Sequence, residues 1–157
     1  MYLNSNSMKI KRLYKLEKTP IYIDKVKVGD ERNFAVLISE NVHNNFGNFS
    51  GDKSPIHTKK VFYNKNGYKK KLGYGFLLTS ILSQIYGMYY PGGSELCLRQ
   101  ICDFKKPFFV GDILNIKLKI VQKNQFGNLI TIQSKIIRMK KELVFIGEAI
   151  LKLSLIK

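Results

Sequence analysis

The stretch Gly73-Tyr-Gly-Phe-Leu-Leu-Thr-Ser-Ile-Leu-Ser-Gln-Ile-Tyr-Gly-Met-Tyr-Tyr90 constrains the fold more than any other part of the chain, because as a helix it is apolar on nearly every side. Glycines 73 and 75 frame its start, and Gly87 with Pro91-Gly-Gly93 frames its end. Its length approaches a membrane span. Thr79, Ser80, Ser83 and Gln84 interrupt it, however, and a helix of this kind is equally expected at the centre of a soluble sheet protein. After Gly93 the period changes from helix to strand. Residues Ser94 to Phe104, Gly111 to Lys123, Leu129 to Met139 and Leu143 to Ile156 read as extended, with a hairpin turn at Asn124-Gln-Phe-Gly-Asn128. Ile116, Leu118 and Ile120 alternate with Lys117 and Lys119, the pattern of a sheet with one wet face. One all-round apolar helix followed by at least four antiparallel strands predicts an α+β fold, a long sheet wrapped around a central helix.

Upstream of the helix the signals are shorter. Residues 1–20 form a basic, polar lead-in, expected to be loosely ordered and without a core contact, and they lack the apolar stretch of a secretory signal. Ile21 to Asp30 alternates briefly and ends at a Gly-Asp turn, and Phe34 to Ile38 reads as a buried strand. Ser39 is a helix cap, with Val42, Phe46 and Phe49 spaced onto one helical face. Ser50-Gly-Asp-Lys-Ser-Pro-Ile-His57 is a loop by composition. A lysine-rich connector, Lys59 to Lys71, follows, with Phe62 and Tyr68 expected to dock on the core. Residues 21–157 are expected to form a single domain, which suits the length.

The chain carries 27 Lys+Arg against 11 Asp+Glu, a formal net charge of +16. Such an excess favours an anionic partner. Only Arg12, Arg32, Arg99 and Arg138 are arginine, whereas bidentate reading of guanine edges uses arginine, and the lysine excess alongside Asn, Ile and Tyr matches an AT-rich coding habit. Aromatic and basic residues interleave in Lys60 to Lys71, as on a single-strand nucleic-acid platform. The competing reading is a solvated connector, and neither nucleic acid nor membrane is the expected partner. Cys97 and Cys102 lie five apart in an extended segment, so they are expected on opposite faces and too distant to bridge. Their spacing is not that of a metal site. Two free thiols fit a reducing compartment, and a cytoplasmic location is expected.

Only two histidines exist. His43, among Asn44, Asn45 and Asn48, reads as exposed or capping. His57 follows Asp52 by five residues across a proline-containing loop that can fold a carboxylate and an imidazole toward one small volume. The segment Ser50 to His57, with Gly75 eighteen residues after the histidine at the head of the apolar helix, resembles the hydratase motif of the MaoC-like family. These are the R-specific enoyl-thioester hydratases and 3-hydroxyacyl-thioester dehydratases of the hotdog fold. The resemblance extends to Gly73–Ser83 as the central helix and Phe104–Asp112 as a later strand-turn-strand, covering roughly Ile21 to Leu153. Tyr74 stands where the family usually has histidine, Ser54 where it has asparagine, and Lys59 where an acidic residue is common.

The resemblance implies a lyase that reversibly hydrates a trans-2-enoyl thioester to the (R)-3-hydroxyacyl thioester, with no metal or redox cofactor. The acyl group would ride on coenzyme A or an acyl carrier protein. Asp52 and His57 would share the water, with His57 as the proton carrier, since a histidine exchanges protons near neutral pH. The Gly75 N–H, at the first turn of the helix, is the candidate for holding the enolate oxygen; it reads equally as a glycine kept for the turn. Ser83 matches a substrate-lining serine, although a serine on an apolar helix commonly bonds back to the preceding turn. Tyr74 completes the expected substrate-binding set. Lysines near the site would attract coenzyme A phosphates or an acidic carrier. The family also implies a homodimer that joins sheets edge to edge. A hotdog thioesterase and a non-catalytic thioester-binding subunit are the alternatives.

Overall fold

The computed structural model describes residues 9–12, 21–93, 95–139 and 141–154. Strands β1 (Ile10–Arg12), β2 (Glu31–Leu37), β3 (Glu95–Phe104), β4 (Ile113–Asn124), β5 (Leu129–Arg138) and β6 (Glu142–Leu153) form one sheet in the order β1-β2-β4-β5-β6-β3, every pair antiparallel. The helices are α1 (Glu40–Ser50), α2 (Pro55–Thr58), α3 (Lys60–Lys65) and α4 (Gly75–Met88). The α+β architecture is the one the sequence predicts, and the four C-terminal strands fall in the segments that read as extended, residues 94, 140 and 155–157 lying outside the described residues.

The core lies between α4 and one face of the sheet. Leu77, Leu78, Ile81, Leu82 and Ile85 of α4 are buried against Leu114, Ile116, Leu118 and Ile120 of β4 and their counterparts on β5 and β6. Period-two alternation makes this possible, since every second residue of β4 is inward and Lys117 and Lys119 point to water, where both pair with Glu31 across the β2–β4 ladder. The helix is not covered all round: Phe76 and Met88 are exposed. At 14 residues it is also shorter than a span, and among the described residues no helix is long and apolar enough to cross a membrane.

Five expectations change. Ile10 packs against the core as β1 pairs with β2, so the lead-in does make a core contact; residues 1–8 and 13–20 lie outside the described residues. Between Ile21 and Asp30 the alternation becomes a single 3₁₀ turn at Ile23–Lys25, with Ile21, Ile23 and Val26 turned inward by the coil rather than by pleating. Phe49 is 92% exposed, leaving Val42 and Phe46 as the residues by which α1 touches the core, and Phe62 is exposed while Tyr68 docks on Phe109, ring centroids 5.9 Å apart. Finally, a bulge between Cys97 and Arg99 shifts the side-chain parity of β3. Cys97 lies opposite Leu151 and Cys102 opposite Gly147, both inward positions of β6, so the two thiols share the helix-facing side instead of opposing ones.

Candidate active site

Ser39 starts the local structure that builds the site, its Oγ accepting the Val42 N–H at 3.2 Å as the N-cap of α1. The helix ends at Gly51, whose φ of 73° is the left-handed turn that glycine adopts without strain. The chain then reverses into Asp52. That carboxylate closes an Asx turn by accepting the Ser54 N–H at 2.9 Å on Oδ1, which leaves Oδ2 without a hydrogen bond to the described residues. Pro55 opens α2, and His57 sits in its single turn, half-buried.

Tyr74, the N-cap residue of α4 and 3% exposed, gathers these pieces. Its Oη donates to the Asp52 backbone carbonyl at 3.0 Å, and its ring lies 4.2 Å from the His57 ring and 5.2 Å from Phe46. Burial, and then the Asp52 charge, raise the Tyr74 pKa, so it is a neutral donor. Gly47 of α1 faces the same hydroxyl; a Cβ there would fall 2.5 Å from Tyr74 Oη, so only glycine lets helix and ring meet. His57 Nδ1 lies 3.3 Å from the Leu72 carbonyl. A carbonyl only accepts, so Nδ1 is the donating nitrogen and Nε2 is the ring nitrogen without a hydrogen bond to the described residues.

Gly75 follows directly as the first residue of α4, where N–H groups lack intrahelical acceptors. It lines a cleft of about 280 Å³ with Leu72, Leu78, Phe104 and Lys105 among the walls. A Cβ on Gly75 would point at the Phe104 ring, 3.3 Å away, and narrow that cleft. Asp52, His57, Tyr74 and Gly75 are thus brought to one end of α4. Ser83 is not among them. It is exposed two turns along, in a second cleft of about 230 Å³ with Thr79, Tyr86, Glu95, Cys97 and Gln100. The bond back to the preceding turn is made by Thr79 and Ser80, both to the Phe76 carbonyl, at 2.7 and 3.2 Å. Ser54 contributes its N–H to the Asp52 turn, and Lys59 is exposed. Among the described residues, no cluster of three or more His, Cys, Asp and Glu side chains is arranged to hold a metal ion.

His43 is the residue that sequence reasoning missed. It is 1% exposed, not a surface or capping histidine, and its Nε2 donates to the same Leu72 carbonyl at 2.9 Å while its ring lies 4.6 Å from Tyr74. Its position three residues before Phe46 on the inward face of α1 was the available signal.

The chain matches the family model described as MaoC like domain over residues 22–140. An (R)-specific enoyl-CoA hydratase of Aeromonas caviae is 29% identical over 108 residues, 69% of this chain and 81% of the relative. A mitochondrial 3-hydroxyacyl-[acyl-carrier-protein] dehydratase of Arabidopsis thaliana is 30% identical over 130 residues, 79% of this chain and 75% of the relative. The solved structure of the (R)-hydratase from A. caviae superposes with a TM-score of 0.77 at 26% identity, covering 82% of this chain and 97% of that one. The fold is the hotdog.

Proposed function

The chain belongs to the MaoC-like domain family, a group with hydratase and dehydratase members, and on that footing we propose that it reversibly hydrates trans-2-enoyl thioesters to (R)-3-hydroxyacyl thioesters. The observation that carries this is the placing of His57 and Asp52 on one residue at the N-terminus of α4: the His57 ring lies against Tyr74 with Nδ1 at the Leu72 carbonyl, and the Tyr74 hydroxyl holds the Asp52 backbone. Ionised Asp52 would orient the water through Oδ2. As the water oxygen bonds to C3, its proton passes to His57 Nε2, and the C2=C3 pair moves into the thioester as an enolate. The Gly75 N–H, at the positive end of the α4 dipole, would hold the enolate oxygen. The imidazolium then returns the proton to C2, which restores His57 and completes the addition of one water. The steps as written need neither a metal nor a redox cofactor.

Substrate would enter on coenzyme A or an acyl carrier protein, and we assign the pairing of β3 edges as the route to a homodimer. Leu96, Leu98 and Ile101 are exposed on that strand and support this. A cytoplasmic setting is consistent with the free thiols. The test is hydration of crotonyl-coenzyme A followed at the thioester chromophore. Asp52→Asn and His57→Ala should each lower turnover by about 10²–10⁴ with the fold intact by circular dichroism. Wild-type turnover in either variant removes that residue from the mechanism, and release of free thiol in place of hydration would identify a thioesterase.

A further inference from the structure

A buried histidine with no part in the reaction as written is the strongest unexplained group in the molecule. His43 and His57 come from different helices, yet both ring nitrogens meet one acceptor, the Leu72 carbonyl, at 2.9 and 3.3 Å. Both rings also lie against Tyr74, with centroids 4.6 and 4.2 Å away and the same 35° tilt. The shorter bond belongs to the fully buried partner. His43 Nδ1 faces the Asn44 side chain at 3.5 Å, at the limit of a hydrogen bond. Burial pushes the His43 pKa down, so this imidazole is a neutral Nε2–H donor and has no protonation cycle of its own to offer.

The geometry assigns His43 as a positioning residue for His57: its Nε2–H fixes the Leu72 carbonyl, and its ring backs Tyr74, so that the longer His57 bond is made to an acceptor that does not move. This rests on the reading of His57 as the proton carrier. The Gly73 N–H of the same peptide donates to the Phe108 carbonyl at 2.8 Å beside the Leu72–Phe109 bridge, so the amide end is anchored; the His43 bond holds the carbonyl end, whose tilt a 3.3 Å bond to a half-exposed ring is too weak to set. An anchored carbonyl selects the Nδ1–H tautomer of His57 and aims Nε2 at the water. His43 itself touches neither substrate nor water.

The chain has only two histidines, so nitrogen-15 NMR of the imidazoles reads both directly. In the wild-type protein at neutral pH, His43 should be the Nε2–H tautomer and His57 the Nδ1–H tautomer; an Nε2–H form at His57 overturns the proposal. His43→Leu removes the donor and keeps the bulk. It should convert His57 to a mixture of tautomers and lower kcat about 10- to 10²-fold with KM little changed, as expected for lost orientation. His43→Gln, whose amide reaches the place of Nε2, should restore most of kcat, and His43→Asn, which is too short, should not. This second pair decides the matter if the leucine variant does not fold. Equal turnover in the Gln and Asn variants, or an unchanged His57 tautomer in His43→Leu, refutes the assignment. If the wild type turns over no enoyl thioester at all, the hydratase reading fails, and the tautomers still decide the role of His43.

Discussion

Tyr74 joins three segments that the chain order keeps apart: its hydroxyl holds the Asp52 backbone, its ring meets both histidines, and its backbone begins α4. Phenylalanine at 74 would keep the packing and lose the hydrogen bond, a stability cost of about 1 kcal/mol that denaturant unfolding can read. The larger effect should be on kcat, because the Asp52 turn would lose its tie to the helix; a Tyr74→Phe enzyme with unchanged kcat would show that the turn is held by other means. His43 predicts a pH dependence of a definite sign. Its folded pKa lies below the unfolded value near 6.5. The unfolded chain therefore takes up a proton that the folded protein resists, and stability falls as pH drops below about 6.5. The Lys71 charge adds to this and Glu40 opposes it. His43→Gln should flatten that part of the melting temperature against pH; parallel curves would place the titration elsewhere.

At the scale of elements, α1 is a support for the site, although only its cap and its apolar spacing were legible. Ser39 and the Val42–Phe46 pair were read correctly from local rules, since caps and helical periodicity involve residues three or four apart. Spacing to Phe46 signals that His43 is inward, but its partner Leu72 and the Gly47 partner Tyr74 lie far away in the chain, and no local pattern names those partners. Gly47→Ala tests the support directly. Its methyl group would push Tyr74 off the position that Asp52 and His57 share, so hydration should fall by at least about tenfold while the helix itself gains propensity. Retained turnover would mean that Tyr74 can move without cost. The strands were legible for the opposite reason: alternation is a local signal, and β4 follows it to Ile120, β5 to Ile136 and β6 from Phe145 onward. It failed on β3, where one extra residue at the bulge reverses parity and brings Cys97 and Cys102 to one face. The Asp–His loop was found as a motif, but its working geometry depends on the Leu72 carbonyl, which carries no side-chain signature.

For the whole molecule, the charge of +16 and the exposed lysines around α3 bear on which carrier brings the substrate. An acidic carrier protein presents many charges at once, so its kcat/KM should fall more steeply with salt than that of the coenzyme A thioester. Equal salt dependence on the two carriers would leave the lysines as a feature of composition. Oligomeric state tests the β3 edge. Sedimentation should give a dimer for the wild type, and Leu98→Lys together with Ile101→Lys should shift it toward monomer; a variant that stays dimeric would move the interface elsewhere. Among the described residues the two borders of the sheet are unequal, ten residues in β3 against three in β1. A sheet with two long open borders can add copies without end, as fibres do. Were a second copy to join at β3 as proposed, it would use up the long border of both partners and leave the β1 side, where the described strand is three residues long, on the outside of the pair. In that arrangement the short described border at β1 would limit growth beyond the pair.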